Sequence, residues 1–185
     1  MTAEAPSSCR LRTFAATSTL AQRFDPLTVD AASIAAAAGV TPAEFEAEFH
    51  TLEHYFAAVQ LQFFEGRLGA VIGCAGTLHS GMDRIRRAWS AYLDYSLEHA
   101  AAHRWCRRAR QRFPSLNEEM RRRNHGVLLM IQMEFSTLKC THPMECARLA
   151  VGMVLETVKL ETESRQKNQA MRDRLFSTLE AFART

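Results

Sequence analysis

The side chains in this 185-residue sequence most able to bind a metal ion are histidines and cysteines in two short segments. His99, His103 and Cys106 are spaced so that one continuous helix would carry them on a single face. A boundary between two helices is expected among them, and it would separate the three side chains. The second segment, from Cys140 to Cys146, has a spacing that fits no standard zinc site. We therefore expect neither a metal nor a cofactor.

The sequence contains no arrangement of residues that is typical of catalysis. It has no nucleophile elbow, no phosphate-binding loop and no His-Glu-x-x-His motif, so we expect that the protein is not an enzyme. The five cysteines are odd in number and include no Cys-x-x-Cys pair. This pattern indicates reduced, mostly packed thiols rather than a framework of disulfides.

Aromatic and methionine side chains of the central segments could line a cavity for a small molecule. Because ligand cavities are mostly apolar with a few polar groups, the pattern predicts a small apolar or aromatic effector. Taken singly, each of these residues could equally belong to an ordinary core. The candidates are Trp89, Tyr92, Trp105, Phe113, Met120, Met130 and Met133.

Arginines are frequent in a nearby part of the sequence, and their charge could bind an acidic ligand or partner. Such runs more often form a solvated face, which is the interpretation we favour. The residues concerned are Arg107, Arg108, Arg110, Arg112, Arg121, Arg122 and Arg123.

Composition and periodicity predict that helices position all of these side chains. Ala, Leu, Met, Glu and Arg recur throughout, while five prolines and eight glycines leave few breaks. We expect an all-α protein with about nine helices. No apolar run reaches the ~20 residues that span a bilayer, and the first residues lack the order of a signal peptide. A cytoplasmic location without membrane contact is the expectation.

Local signals predict most helix boundaries. One helix is predicted over 11–24, and a short one over 31–37 follows Asp30 as its N-cap. Gly39 supplies a left-handed corner, after which Thr41, Pro42 and Glu44 form a capping box that starts a helix ending near Phe49. The later predictions are a long helix opened by Thr51 and Glu53, then helices over 82–99, 103–113 and 115–138, one from 143 and one through 171–182.

The corner between the two short helices resembles the helix-turn-helix of the TetR family of transcriptional regulators. Residues 34–41, Ile-Ala-Ala-Ala-Ala-Gly-Val-Thr, are similar to the family pattern I-A-x-x-A-G-V-[ST]. Phe49 at the end of the second helix, then Thr51 and Glu53, continue the likeness. Residues 91–99 resemble the family's fifth helix, and Pro114-Ser115-Leu116 resembles its connection into the seventh.

This resemblance implies a helix-turn-helix DNA-binding domain over 1–51 and a ligand-binding and dimerisation domain over 52–185. It implies a homodimer paired through the last two helices, a double-stranded DNA operator and an effector that alters the spacing of the two DNA-binding units. Repression is the expected mode of action. The positions that the resemblance assigns to DNA binding are Thr41, Pro42, Ala43, Glu44, Glu46, Ala47, His50 and Thr51.

The charge of the presumed DNA-binding part departs from the family pattern. Up to Phe56 there are three basic and seven acidic residues, a net charge of −4. Glu46 stands where the family has a phosphate-contacting tyrosine, and Leu52 where it has a lysine. One reading is a regulator with weak non-specific affinity that uses main-chain amides, hydroxyls and Arg10 or Arg12 in a flexible start. The other is a helical dimer that has lost DNA binding and acts as a ligand sensor or protein-binding module.

Overall fold

The computed structural model describes residues 7–184, which form ten α-helices and no strand. The all-α prediction is therefore confirmed. Helix α1 spans Ser8–Ala15, α2 Thr17–Arg23, α3 Ala31–Ala38, α4 Pro42–Phe49, α5 Leu52–Ala75, α6 Met82–Glu98, α7 Ala100–Arg112, α8 Ser115–Thr137, α9 Pro143–Ser164 and α10 Gln169–Phe182.

The additional helix arises within the first predicted one. At Ala16 the backbone angle ψ is −12°, well away from the helical value of about −42°, and the segment divides there into α1 and α2. Within residues 7–184 no helix is long and apolar enough to cross a membrane.

The described chain folds into two compact units. The first contains the residues up to Phe64 together with Ala101–Asn117, and the second contains Glu65–Ala100 and the residues from Glu118 onward. The first unit thus holds the whole predicted helix-turn-helix and, in addition, the start of α5 and most of α7. The functional boundary after residue 51 stays a prediction.

An aromatic cluster forms the centre of the first unit. The rings of Phe45 and Phe49 on α4 lie 4.9 Å apart, and Phe49 meets Tyr55 of α5 edge-on at 5.2 Å. Phe56 packs against Trp105 of α7 at 4.8 Å. All five side chains are at least nine-tenths buried, so α4 is fixed through apolar and aromatic packing. We call these five residues the aromatic cluster.

Arginines of α7 bind the loop that precedes α3 and the neighbouring helix α5. Arg108 pairs with Asp25 at 2.8 Å, and Arg112 donates to the carbonyl oxygen of Val29 at 2.8 Å. Arg110 donates to Gln60 of α5 at 2.8 Å. Arg108 and Arg112 remain exposed while they bind their own unit, and Arg121 and Arg122 are exposed as well, in agreement with the solvated face that the sequence predicts.

A buried ion pair stabilises the second unit. Arg172 of α10 donates twice to the carboxylate of Glu161 on α9, at 2.7 and 2.6 Å, and also to Asp94 on α6. Glu161 accepts from the backbone N–H of Asn168 at 2.8 Å as well. Arg172 and Glu161 are 2% and 1% exposed, so each charge depends on the other for compensation.

The side-chain end of Tyr95 on α6 lies directly against a glycine of α5. A Cβ atom placed on Gly66 would lie 2.1 Å from the hydroxyl oxygen of Tyr95, whereas a Cβ on Gly69 would meet nothing within 4 Å. Only the first of these two helical glycines is therefore required by packing.

Gly66 and Gly69 provide a matched test of the contact with Tyr95. We expect Gly66→Ala to lower the free energy of unfolding by about 1–3 kcal/mol, because Tyr95 must move out of a packed position. Gly69→Ala should instead raise it by roughly 0.5–1 kcal/mol through better helix propensity. Urea unfolding at fixed protein concentration measures both, and changes of the same sign would contradict the close approach.

Candidate nucleic-acid interface and ligand cavity

The corner between α3 and α4 is built from small residues and one left-handed glycine. Ile34, Ala35 and Ala38 are buried on α3. Gly39 has φ of 66° and ψ of 32°, a conformation that costs a residue with a side chain more than it costs glycine. The N–H of Val40 then donates to the carbonyl oxygen of Ala35 at 3.0 Å, which closes the end of α3.

Helix α4 begins with the predicted capping box. The Thr41 hydroxyl accepts from the N–H of Glu44 at 3.2 Å, and the Glu44 carboxylate accepts from the N–H of Thr41 at 2.7 Å. Pro42 occupies the first helical position, where no N–H is needed. These local hydrogen bonds define the start of α4.

The eight residues assigned to DNA binding all lie at the surface of the first unit. Phe45 and Phe49 are buried between them, which leaves the opposite side of α4 exposed. The exposed set consists of Thr41, Pro42, Ala43, Glu44, Glu46, Ala47, His50 and Thr51.

A second exposed feature is the junction between α4 and α5. His50 ends α4 with φ of 59°, and its ring lies 6.3 Å from that of His54. The Thr51 hydroxyl accepts from the N–H of His54 at 3.1 Å and thereby caps α5. The hydroxyl, the imidazole and the N-terminus of α5 together form the kind of surface that contacts phosphates.

Two of the three glutamates on α4 are paired with arginines of α1. Arg10 reaches Glu48 at 2.6 Å, and Arg12 reaches Glu44 at 3.1 Å. Arg12 also donates to the carbonyl oxygen of Gly39 at 2.7 Å. Both arginines therefore lie in a helix and hold α4, which corrects their predicted place in a flexible start. Glu46 is exposed and has no ion pair within the described chain.

These contacts also affect the two carboxyl groups. Hydrogen bonds from the backbone and side chain of Thr41 lower the pKa of Glu44, with a smaller contribution from Arg12. A hydrogen bond from the hydroxyl of Ser7 is the main cause that lowers the pKa of Glu48, and Arg10 adds to it. Both groups are therefore ionised, and paired, at neutral pH.

The second unit contains a small cavity of about 20 Å³, part of which is open to solvent. Three of its lining residues are polar or aromatic and close together. The guanidinium of Arg67 lies 4.3 Å from the ring centre of Tyr92, and Trp89 meets Tyr92 edge-on at 5.5 Å. The complete lining is Arg67, Trp89, Tyr92, Asn124, Val127, Val151, Val154 and Leu155.

The structure brings only two of the seven predicted ligand-binding residues, Trp89 and Tyr92, to this cavity. Trp105 and Phe113 pack in the core of the first unit instead. Met120 is buried away from the cavity lining, and Met130 and Met133 are 51% and 70% exposed. Apolar character alone does not distinguish core, surface and cavity positions, so the sequence could not separate these five from Trp89 and Tyr92.

Two polar lining residues, Arg67 and Asn124, are missing from the sequence prediction. One signal was available for Arg67, because Arg67 and Glu65 are the only charged residues between Glu53 and Ala75 in the mainly apolar α5. A charged side chain that is buried in such a helix needs a polar environment.

The two segments that could bind a metal ion are arranged differently in the structure. Helix α6 ends at Glu98 and α7 begins at Ala100, so the predicted boundary does fall among the candidate ligands. The sulfur atoms of Cys140 and Cys146 lie 3.0 Å apart as two free thiols. No group of three or more possible ligands within residues 7–184 has a geometry that could hold a metal ion.

Solved structures with the same arrangement of helices exist. A protein from Rhodococcus sp. assigned to the TetR family of transcriptional regulators superposes with a TM-score of 0.77 at 16% identity, covering 96% of this chain and 100% of its own. One from Shewanella sp. PV-4, also assigned to that family, gives 0.70 at 15% identity, covering 94% and 96%. No family model and no curated protein matches the sequence. The fold is that of TetR-family regulators.

Within this TetR fold, α3 and α4 are the helix-turn-helix that residues 34–41 indicated. The likeness covers both compact units, whereas the low identity leaves the individual site residues to be argued from this chain's own geometry.

The contact between α1 and α4 should be visible in the pH dependence of stability. Because the pKa of Glu48 is lowered, its contribution is fully present above the ordinary carboxyl pKa of 4.5 and is lost as pH falls through the lowered value. We expect Glu48→Gln to reduce the Tm at pH 7 by about 1–3 °C. The difference from the unchanged protein should narrow as the pH is lowered to about 4.

Glu46→Gln is the matched control, since it removes the same charge from an exposed position two residues earlier. Its melting curve should follow that of the unchanged protein between these pH values. Equal effects of the two substitutions would argue against a specific role for the pairing of Glu48.

Proposed function

We propose that this chain is a TetR-family transcriptional regulator, a cytoplasmic homodimer that binds a double-stranded DNA operator and releases it when a small apolar or aromatic effector binds. We propose that it acts as a repressor. The DNA-binding part would be residues 1–51, and residues 52–185 would bind the effector and form the dimer.

The observation that carries the proposal is the construction of α4. Helix α4 is short and starts at a rigid corner. Its buried side packs in the aromatic cluster, and its other side is exposed. This is what a recognition helix needs in order to present side chains to base edges in the major groove. Small residues such as Ala43 and Ala47 permit close approach, and the carboxylate of Glu46 can accept from cytosine N4.

The charges on and around α4 are also compatible with DNA binding. Three glutamates on one recognition helix would repel the phosphate backbone, but Arg10 and Arg12 compensate two of them. The exposed charge that remains is that of Glu46. Phosphate contacts would come from His50, Thr51 and the backbone N–H groups at the start of α5.

Exposed leucines on α9 support dimerisation through the last two helices. Leu149, Leu155 and Leu160 are 58%, 43% and 39% exposed, whereas Val158, Leu175 and Leu179 are buried in their own unit. The first three are therefore the side chains available to a second copy, whereas the buried ones belong to the core of their own unit. A permanent dimer interface of this kind covers on the order of 2,000 Å² or more.

Effector action requires that the ligand prefers one arrangement of the dimer. A ligand with equal affinity for the DNA-bound and the released arrangement would shift nothing, however tightly it binds. We propose that it binds among the helices of the second unit, where the small cavity lined by Trp89 and Tyr92 would have to widen to admit it.

A second candidate function is a helical dimer that senses a ligand or binds a protein without contacting DNA. The net charge of −4 up to Phe56 and the exposed Glu46 favour it, because phosphate attraction supplies most of the non-specific affinity for DNA.

The DNA test uses fluorescence anisotropy with a labelled duplex from upstream of the chain's own gene and with a random duplex. We expect specific binding to the first, weak binding to the second and a log–log salt slope of only about −2 to −4. Glu46→Gln should tighten binding to random duplex about fivefold, since one repulsive charge is removed. Glu46→Tyr, which restores a phosphate-contacting side chain, should tighten it further.

Glu65→Gln, the same charge change at an exposed position of the second unit, is the control and should leave DNA affinity unchanged. Leu52→Lys also restores the family's residue, but Leu52 packs against the core of the first unit and its loss should cost stability. Tight, steeply salt-dependent binding to random duplex would contradict the weak-binding prediction. An intact dimer that binds neither duplex would favour the second candidate.

The dimer test is analytical ultracentrifugation at micromolar concentration. We expect the unchanged protein to sediment as a dimer and Leu149→Glu to shift it towards monomer, because the substitution places a charge in an apolar interface. Ile72→Glu changes a side chain that is equally exposed, at 58%, on α5 and should leave the dimer intact. A monomeric unchanged protein would exclude the proposed assembly.

A further inference from the structure

The outward side of α9 has a residue pattern that is symmetric about Gly152. The residues four positions before and after this glycine are Arg148 and Glu156, which carry opposite charges. Those three positions away on either side are both leucines, and those seven positions away are again oppositely charged. The set consists of Glu145, Arg148, Leu149, Gly152, Leu155, Glu156 and Lys159, and all seven are exposed. We call these seven residues the α9 face.

Contacts within the chain do not account for this face. Because successive residues of a helix are about 100° apart, all seven lie within roughly 60° of the direction of Gly152. Leu149 and Leu155 are 58% and 43% exposed, and a Cβ atom on Gly152 would meet nothing within 4 Å. Lys159 and Glu156 lie 3.5 Å apart, but an exposed pair on one helix contributes little to stability.

The pattern is complementary to itself when a second copy of α9 runs in the opposite direction. In an antiparallel pair related by a two-fold axis, a residue lies level with the residue at the same distance on the other side of the axis. With the axis at Gly152, Arg148 of one copy lies level with Glu156 of the other, and Glu145 with Lys159. A parallel pair would place equal charges level with each other, which is repulsive.

We propose that α9 pairs with the α9 of a second copy in antiparallel orientation, crossing at Gly152, with ion pairs between Arg148 and Glu156 and between Glu145 and Lys159. This rests on the proposed function in that the chain is a homodimer, and it assigns that dimer a two-fold axis and a register.

The shape of the α9 face agrees with this pairing. Gly152 has no side chain, so the two helix axes can approach to within the usual distance of about 8–10 Å at the crossing. A shallow crossing of roughly 20°, as in four-helix bundles, keeps the charged pairs on both sides within reach. Leu149 and Leu155 would flank the crossing. Because the charges match only in this register, the face favours another copy of this chain over a helix with a different pattern.

Charge reversal tests the register in the full-length protein without DNA. Arg148→Glu would place two glutamates at each of two symmetric sites, and Glu156→Arg would place two arginines there. Since attraction becomes repulsion at both sites, we expect each variant to raise the dimer dissociation constant about 10- to 100-fold. Analytical ultracentrifugation measures this. An equimolar mixture of the two variants should form heterodimers about as tightly as the unchanged protein dimerises, because both sites again join opposite charges.

Native mass spectrometry distinguishes the heterodimer from either homodimer. A chain that carries both Arg148→Glu and Glu156→Arg should regain the homodimer. Arg87→Glu makes the same charge change at an exposed position of α6 and is the control that should leave the dimer unchanged. The preference for the heterodimer should fall in about 1 M salt, where charges are screened within about 3 Å. No gain in affinity on mixing would overturn the inference.

Cysteine cross-linking locates the axis independently. Gly152→Cys is made with Cys74→Ser, which removes the exposed native thiol. We expect oxidation by copper–phenanthroline to link two copies at position 152, where the helices are closest. Glu163→Cys in the same background is the control, since it is exposed on the same helix but would lie roughly 33 Å from its counterpart along the pair. Equal cross-linking of the two variants would contradict an axis at Gly152.

These outcomes are separable from the proposed function. If the two charge variants restore each other but the protein contacts no DNA, the inference stands and the regulator proposal fails. If the protein binds its upstream DNA as a dimer that is indifferent to mixing, only the inference fails. A monomeric unchanged protein would overturn the inference together with the proposed assembly, whatever its affinity for DNA.

Discussion

The packing of Phe45 and Phe49 against Tyr55 is the interaction on which the arrangement of the first unit depends. Helix α4 has only eight residues, and a helix of that length is not stable by itself in water. Its two aromatic side chains supply the apolar burial that its short backbone lacks. Since Tyr55 also contacts Trp105 at 6.1 Å, the position of α4 is tied to α7 as well as to α5.

The two units are stabilised by different means. The first relies on aromatic packing, and the ion pairs of Arg10, Arg12 and Arg108 lie at or near its surface. The second places a charged pair, Arg172 with Glu161, deep within its helices, where each partner would be costly alone. A buried pair of this kind favours one register of α9 against α10, because a shift by one turn would separate Arg172 from the buried carboxylate of Glu161.

Local sequence signals predicted the features that depend on neighbouring residues. The capping box of Thr41 and the corner at Gly39 both follow from side chains within four positions. Contacts between distant residues could not be predicted in this way. Arg10 meets Glu48 across 38 positions, and nothing in composition reveals that they pair. The same limit applies to Trp105, whose type suits a cavity wall as well as a core.

Glu44 has two attachments, one to the backbone that begins its own helix and one to Arg12. A substitution of Glu44 removes both contacts at once, whereas Glu46 is exposed and makes neither of them. Helix α4 therefore contains positions at which folding constrains the residue type and positions at which it does not. Over many generations, residues such as Ala43, Glu46 and Ala47 can vary while the protein still folds. A lineage of such chains can acquire new binding preferences without passing through unstable ancestors.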